Sequence, residues 1–154
     1  MPPSWKTKPA STDDEYLARM SRAMFAAGLN WRMIENKWPN FMEAFEGFSP
    51  AAVSKMTEKD VSRLMKDTGI VRNEKKVRAT IHNAGEVVKL KKEFGSFKKY
   101  LDSFGKEEDR LQEDLQERFH HIGPSSARMF LWLAGYPLAP NREEKSWIAS
   151  HEHQ

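Results

Sequence analysis

The tightest constraint on this chain is a repeated punctuation: a polar cap, apolar residues at steps of three and four, then a glycine. Thr12-Asp13-Asp14-Glu15 is a capping box, a hydroxyl with a carboxylate three residues on. Tyr16, Leu17, Met20, Met24 and Ala27 follow at helical spacing, and Gly28 supplies a left-handed stop. Trp31, Ile34, Trp38, Phe41 and Phe45 predict a second helix from about Asn30 to Phe45, in which Pro39 requires a kink or a fresh start. Ser49-Pro50 and Thr57-Glu58-Lys59-Asp60 open two short helices, and Gly69 closes that region. Asn73 caps a helix through Val77, Ile81, Ala84 and Val88 that stops near Gly95. Ser96 caps one with Phe97, Tyr100, Leu101 and Phe104, ended by Gly105. Leu111, Leu115 and Phe119 mark another; Ala127 to Ala134 forms an apolar one ending at Gly135, and residues 140–150 predict a last. No stretch alternates with a period of two, so the fold class is all-α. The expected organisation is one domain of short helices over 12–150, a loose lead-in over 1–11 with Trp5 against the body, and a tail over 151–154.

Composition narrows the function classes. The 154 residues contain no cysteine, which removes disulfides, thiol catalysis and thiolate metal sites. No apolar run reaches the roughly 18–20 residues of a membrane span and no secretory leader opens the chain, so a monomer in the cytoplasm, away from membranes, is expected. The formal net charge of +3 is unevenly distributed. Arg72 to Lys99 holds nine basic and three acidic residues, whereas Tyr100 to Glu117 holds two basic and seven acidic. The basic stretch suits an anionic partner; it also suits an ordinary solvated helix surface.

The segment Leu115 to Ala127 is the most informative. An acidic amphipathic helix ends at Phe119, Ile122-Gly123-Pro124 forms a turn, and a helix opens with Ser125 and Ser126. Free backbone amides and the helix dipole make such a helix start a phosphate site. This is the logic of a helix-hairpin-helix, which grips the DNA backbone without reading sequence. A plain helix connector fits the same residues, and the acidic helix before the turn must point its carboxylates away from any nucleic acid.

Five tryptophans offer stacking surfaces. Trp38 and Trp132 fall on apolar stripes and read as core. Trp31 stands at a helix start after Gly28-Leu29-Asn30, where an indole either completes a core or lines a cleft with its π-face open to a base. Glu35, four residues on, projects from the same side. It is a candidate for stabilising positive charge, or a surface partner of Arg32 or Arg19.

These pieces together resemble the DNA-3-methyladenine glycosylase I family. Ala26-Ala27-Gly28-Leu29-Asn30-Trp31 resembles its Gln-Ala-Gly-Leu-Ser-Trp motif. Phe45-Glu46-Gly47-Phe48-Ser49-Pro50 through Asp60-Val61, then Asp67-Thr68-Gly69-Ile70-Val71-Arg72-Asn73 with Lys76-Val77 and Ala79 to Ala84, continue the match. Gly95-Ser96-Phe97 and Phe119 to Ser125 complete the order, and the resemblance covers roughly residues 12–136. It implies a helix-hairpin-helix glycosylase fold, double-stranded DNA bearing an alkylated base as partner, and hydrolysis of the N-glycosidic bond after base flipping. Trp31 is the tryptophan of the family's motif and is expected to stack on the base, Asn30 and Phe25 are expected to shape the pocket, and Glu35, four residues on, is the candidate catalytic carboxylate by its spacing rather than by the resemblance. The backbone amides of Gly123, Ser125 and Ser126 would hold a phosphate, with Arg72, Lys75 and Lys76 adding non-specific attraction.

Departures accompany the resemblance. The family's zinc site uses cysteines and histidines at the chain ends; here its Tyr-His-Asp and Glu-Trp-Gly motifs are missing and His151 and His153 stand alone, so no metal and no cofactor is expected. The family's pocket glutamate corresponds to Ala23, its glutamine to Ala26 and its serine to Asn30. Glu143 and Glu144 are weaker carboxylate candidates, near where related glycosylases carry an aspartate. With no lysine beside the Trp31 motif in sequence, Schiff-base chemistry is not expected. A non-catalytic DNA-binding or damage-sensing module on the same fold is the alternative.

Overall fold

The computed structural model describes residues 8–138. Trp5, the helix expected over 140–150, Glu143, Glu144, His151 and His153 lie outside the described residues. Within them the chain is all helical, with no strand.

Helix α1 (Asp13–Ala26) starts at the capping box, in which Thr12 accepts from the Glu15 amide and Glu15 accepts from the Thr12 amide. Helix α2 (Trp31–Ala44) begins at Asn30 and runs through Pro39 without ending. Proline has no N–H, so the Glu35 carbonyl lacks its helical donor, a local cost that the buried Ile34, Phe41 and Ala44 offset. A 3-10 turn at Glu46–Phe48 leads to α3 (Pro50–Ser54), capped by Ser49, and α4 (Glu58–Leu64), which starts at a second capping box. Helix α5 (Glu74–Phe94) has 21 residues; at 1.5 Å each it is ~31 Å long. Then come α6 (Phe97–Asp102), α7 (Glu108–Arg118) and α8 (Pro124–Leu133).

Helix α1 organises the core, packing against α2, α3, α5, α6 and α8. Its two ends enter different aromatic clusters. Near the start, Tyr16 meets Phe97 and Phe130, and Phe97 in turn meets Tyr100 and Phe119. Near the end, Phe25 meets Phe41 and Phe45, which continue to Phe48 and Trp38. Trp132 and Trp38, expected as core, are both half-buried, so each keeps an edge at the surface.

The described part of the lead-in is docked rather than loose. The Ala10 amide donates to the Ala134 carbonyl at 2.9 Å, and Arg19 donates to the carbonyls of Lys8 and Leu133. Gly135, at φ +81, lies so close to Pro9 that a Cβ there would meet it at 2.7 Å.

Candidate active site and nucleic-acid interface

The α1–α2 connector is only Ala27 to Asn30, so Trp31 opens α2 beside the end of α1. Gly28 makes the reversal at φ +76, and the Leu29 amide returns to the Ala26 carbonyl at 2.9 Å. Asn30 caps α2, its side-chain oxygen accepting from the amides of Arg32 at 2.7 Å and Met33 at 3.3 Å. That oxygen is therefore engaged, and the Asn30 amide nitrogen is the group left to meet a ligand.

Trp31, Glu35 and Trp38 share one face of α2, at i, i+4 and i+7. Trp31 and Trp38 are half-buried and Glu35 is exposed. Trp38 stacks on Phe48 at 5.2 Å and 7°, so that ring is anchored. Arg22 of α1 holds its guanidinium over Trp38, 5.3 Å from the ring centroid. Burial pushes the Arg22 guanidinium below the usual arginine range; Glu35 acts against that shift and Arg19 adds to it. Glu35 is expected from the sequence to be the candidate catalytic carboxylate, with pairing to Arg32 or Arg19 as the alternative. The structure gives it Arg22 as electrostatic neighbour, while Arg19 is tied to Glu15 and to the docked lead-in.

Phe25 is corrected: it is fully buried behind this face, 4.8 Å from the Phe41 ring, and presents no surface to an incoming base. Ala23 and Ala26 are also buried and bring no polar group.

Lys76 is corrected twice. Its ammonium donates to the carbonyls of Phe25 at 3.4 Å and Ala27 at 3.1 Å, where α1 ends. Desolvation pushes its pKa down. It is a C-terminal cap on α1, not a loose cation for DNA. It also stands beside the Trp31 motif in space, although 45 positions separate Lys76 from Trp31 in the chain. Arg72 and Lys75 are exposed.

Two turns further along α5, about 10 Å by helical rise, the same helix holds the hairpin. The buried Asn83 side chain donates to the His120 carbonyl at 3.2 Å and accepts from the His120 amide at 2.8 Å. His82 bonds the Arg118 carbonyl through Nε2 at 3.3 Å and stacks on His120 with centroids 3.4 Å apart. Burial lowers the His120 pKa, His82 and His121 add to the shift, and Glu86 opposes it. Asn83 falls within the Ala79 to Ala84 motif, but nothing local in the sequence signals its partner 37 positions away.

Gly123 caps α8 in extended conformation, with Pro124 in the first turn and no side-chain cap. Among the described residues, no hydrogen bond engages the amides of Gly123, Ser125 or Ser126. Gly123 and Ser125 are exposed; Ser126 is buried, so only its amide is a candidate contact. In the acidic α7, Asp114 turns inward to Tyr100 and Arg118, whereas Glu113 and Glu117 are exposed.

The zinc donor set implied by the resemblance does not fit this chain, which has no thiolate to offer. No group of three or more metal-ligating side chains occurs among the described residues. No helix among them is long and apolar enough to cross a membrane.

The sequence pattern of a family described as methyladenine glycosylase matches residues 3–131. DNA-3-methyladenine glycosylase 1 of Escherichia coli (strain K12) is 36% identical over 78 residues, covering 51% of this chain and 42% of that protein. DNA-3-methyladenine glycosylase of Haemophilus influenzae is 32% identical over 78 residues, with the same coverage. The aligned part is thus less than half the length of these curated relatives. The fold is similar to a structure of 3-methyladenine DNA glycosylase I from Staphylococcus aureus, with a TM-score of 0.76 and 28% identity over 84% of this chain and 79% of that one.

Proposed function

This chain belongs to the methyladenine glycosylase family, and on that premise we propose that it releases an alkylated purine from double-stranded DNA by hydrolysing the N-glycosidic bond. The observation that carries the reading is the α2 face: a half-buried indole at the first turn with a carboxylate one turn along. The lesion base leaves the duplex and stacks on Trp31. Its bond to C1′ breaks heterolytically, the electron pair passing to the base nitrogen and cancelling the base's positive charge. Positive charge develops on the sugar, where the Glu35 carboxylate stabilises it and orients the attacking water. The free amides of Gly123, Ser125 and Ser126 hold a backbone phosphate, and Arg72 and Lys75 add salt-sensitive attraction.

The test is incubation of the protein with methylated duplex DNA and identification of the free base by mass. Release that is lost in Trp31→Ala supports the proposal. Duplex binding without release makes the protein a non-catalytic damage-binding module, a reading favoured by the lack of polar groups at Ala23 and Ala26. Neither binding nor release removes both.

A further inference from the structure

His120 is a titratable side chain at the hairpin that the reaction above does not use. It is exposed, and its imidazole makes no hydrogen bond among the described residues. It is nevertheless held. Asn83 bonds both its amide and its carbonyl, and the His82 ring covers one of its faces, parallel to within 6°. His82 is itself fixed, its Nε2 donating to the Arg118 carbonyl at 3.3 Å. What His120 offers a ligand is the edge of a ring whose backbone and one face are already pinned.

The surroundings lack a counter-ion for it. Two imidazoles in this contact repel when both are protonated. Burial, His82 and His121 hold the His120 pKa below its ordinary value, against the pull of Glu86. That carboxylate, on α5, is shared: it lies 3.8 Å from His82, 3.8 Å from Lys89 and 3.9 Å from Arg118. On α7, Arg118 is also paired with Asp114 at 3.2 Å, and Glu117 is exposed. Among the described residues no carboxylate pairs with His120 within 4.0 Å.

A nucleic-acid backbone supplies the missing anion. His120 is three residues before Gly123, so the chain places their Cα atoms at most about 11 Å apart. Each duplex strand carries a phosphate about every 3.4 Å along its axis. A strand held by the free amides at Gly123 therefore has neighbouring phosphates on the scale of that separation. We propose that His120 is a proton-linked contact to a backbone phosphate: it takes up a proton from solvent as the duplex docks on the hairpin, and donates from its ring edge to a phosphate oxygen beside the one held at Gly123. His82 is the platform that keeps the ring in place. The contact is to the phosphodiester and is blind to sequence and lesion. This inference rests on the glycosylase reading, through the hairpin as its DNA contact.

The test is fluorescence anisotropy of an undamaged, labelled duplex at fixed salt, at pH 7.5 and pH 6. Each unit by which a phosphate raises the His120 pKa is worth about tenfold in affinity, so binding is expected to tighten about three- to tenfold at the lower pH. The slope of log affinity against log salt is expected to steepen by up to about 0.9, one added phosphate contact. His120→Gln is expected to lose both changes, whereas His121→Gln keeps them. His120→Lys, with a permanent charge, is expected to bind at pH 7.5 as tightly as the parent does at pH 6. A merely structural role predicts instead that the Gln and Lys variants weaken alike at both pH values. That pattern, a parent whose affinity ignores pH, or a pH dependence that survives in His120→Gln overturns the inference, and base release measured on methylated duplex then still supports the glycosylase reading. A parent that neither binds duplex nor releases base overturns both.

Discussion

Replacing Asn83 tests whether the hairpin is held from α5. The side chain is buried and makes two hydrogen bonds to the backbone of His120, at 2.8 and 3.2 Å. Asn83→Ala removes both and leaves a backbone donor and acceptor without partners. At about 0.5–1.5 kcal/mol net for each bond, the loss is roughly 1–3 kcal/mol. For a domain of this length, 1 kcal/mol moves the Tm by about 2–4 °C, so a fall of roughly 2–12 °C is expected in a calorimetric scan. Asn83→Asp keeps the acceptor but sets a carboxylate against the His120 carbonyl, so it should fall at least as far. The functional consequence is specific: His120 is three residues before Gly123, and the amides of the α8 start depend on that anchor for their direction. Duplex affinity should weaken, and hydrogen exchange should quicken at His120 and at the first turn of α8. If Asn83→Ala lowers the Tm yet leaves duplex affinity and exchange at the hairpin as they were, the hairpin is not positioned by α5 and the reasoning fails.

Three other outcomes follow from the same geometry. Arg72→Ala and Lys75→Ala should each flatten the slope of log affinity against log salt by up to about 0.9, whereas Lys76→Met should leave that slope unchanged and lower the Tm, because its ammonium already holds the α1 end; a flatter slope for Lys76→Met would return it to the DNA contacts. The His120 pKa lies below 6.5 in the folded state, so the unfolded chain binds the extra proton first, and this contribution to stability is full above pH 6.5 and declines as pH falls towards the folded value; a Tm series from pH 7.5 to 5 should decline less in His120→Gln, and parallel curves would contradict it. Gly135→Ala puts a Cβ 2.7 Å from Pro9 at φ +81, costing about 1–3 kcal/mol and quickening exchange of the Ala10 amide, which a proton-exchange measurement that finds Ala10 as protected as before would refute.

Helix positions were legible because their signals are local. Thr12, Ser49, Thr57, Asn73 and Ser96 each precede a helix as expected, since caps act within one turn. Pro39 lies inside the expected helix without ending it, because packing of the α2 face outweighs one missing hydrogen bond. The site was legible only along single elements. Trp31 and Glu35 lie on one helix, so their common face follows from spacing. Arg22 escaped notice because its significance lies in Trp38, on another helix. Phe25 and Lys76 were misassigned for the same reason: apolar and basic side chains look identical in sequence whether they face a ligand, a core or a carbonyl.

The position of α5 explains how a site made of distant segments stays in register. Lys76 closes the end of α1 beside Trp31, and Asn83 bonds the backbone of the turn before α8, both from one continuous helix. In the proposed complex, a base stacked on Trp31 and a phosphate at Gly123 belong to one nucleic-acid strand, whose spacing is set by its own covalent chain. A protein gripping both needs a ruler that does not flex, and a helix whose successive turns are bonded throughout is stiffer than any loop joining the two segments directly. Replacing α5 contacts should therefore disturb base release even where no altered atom touches DNA, because misplacement by about 1 Å is enough to lose productive geometry.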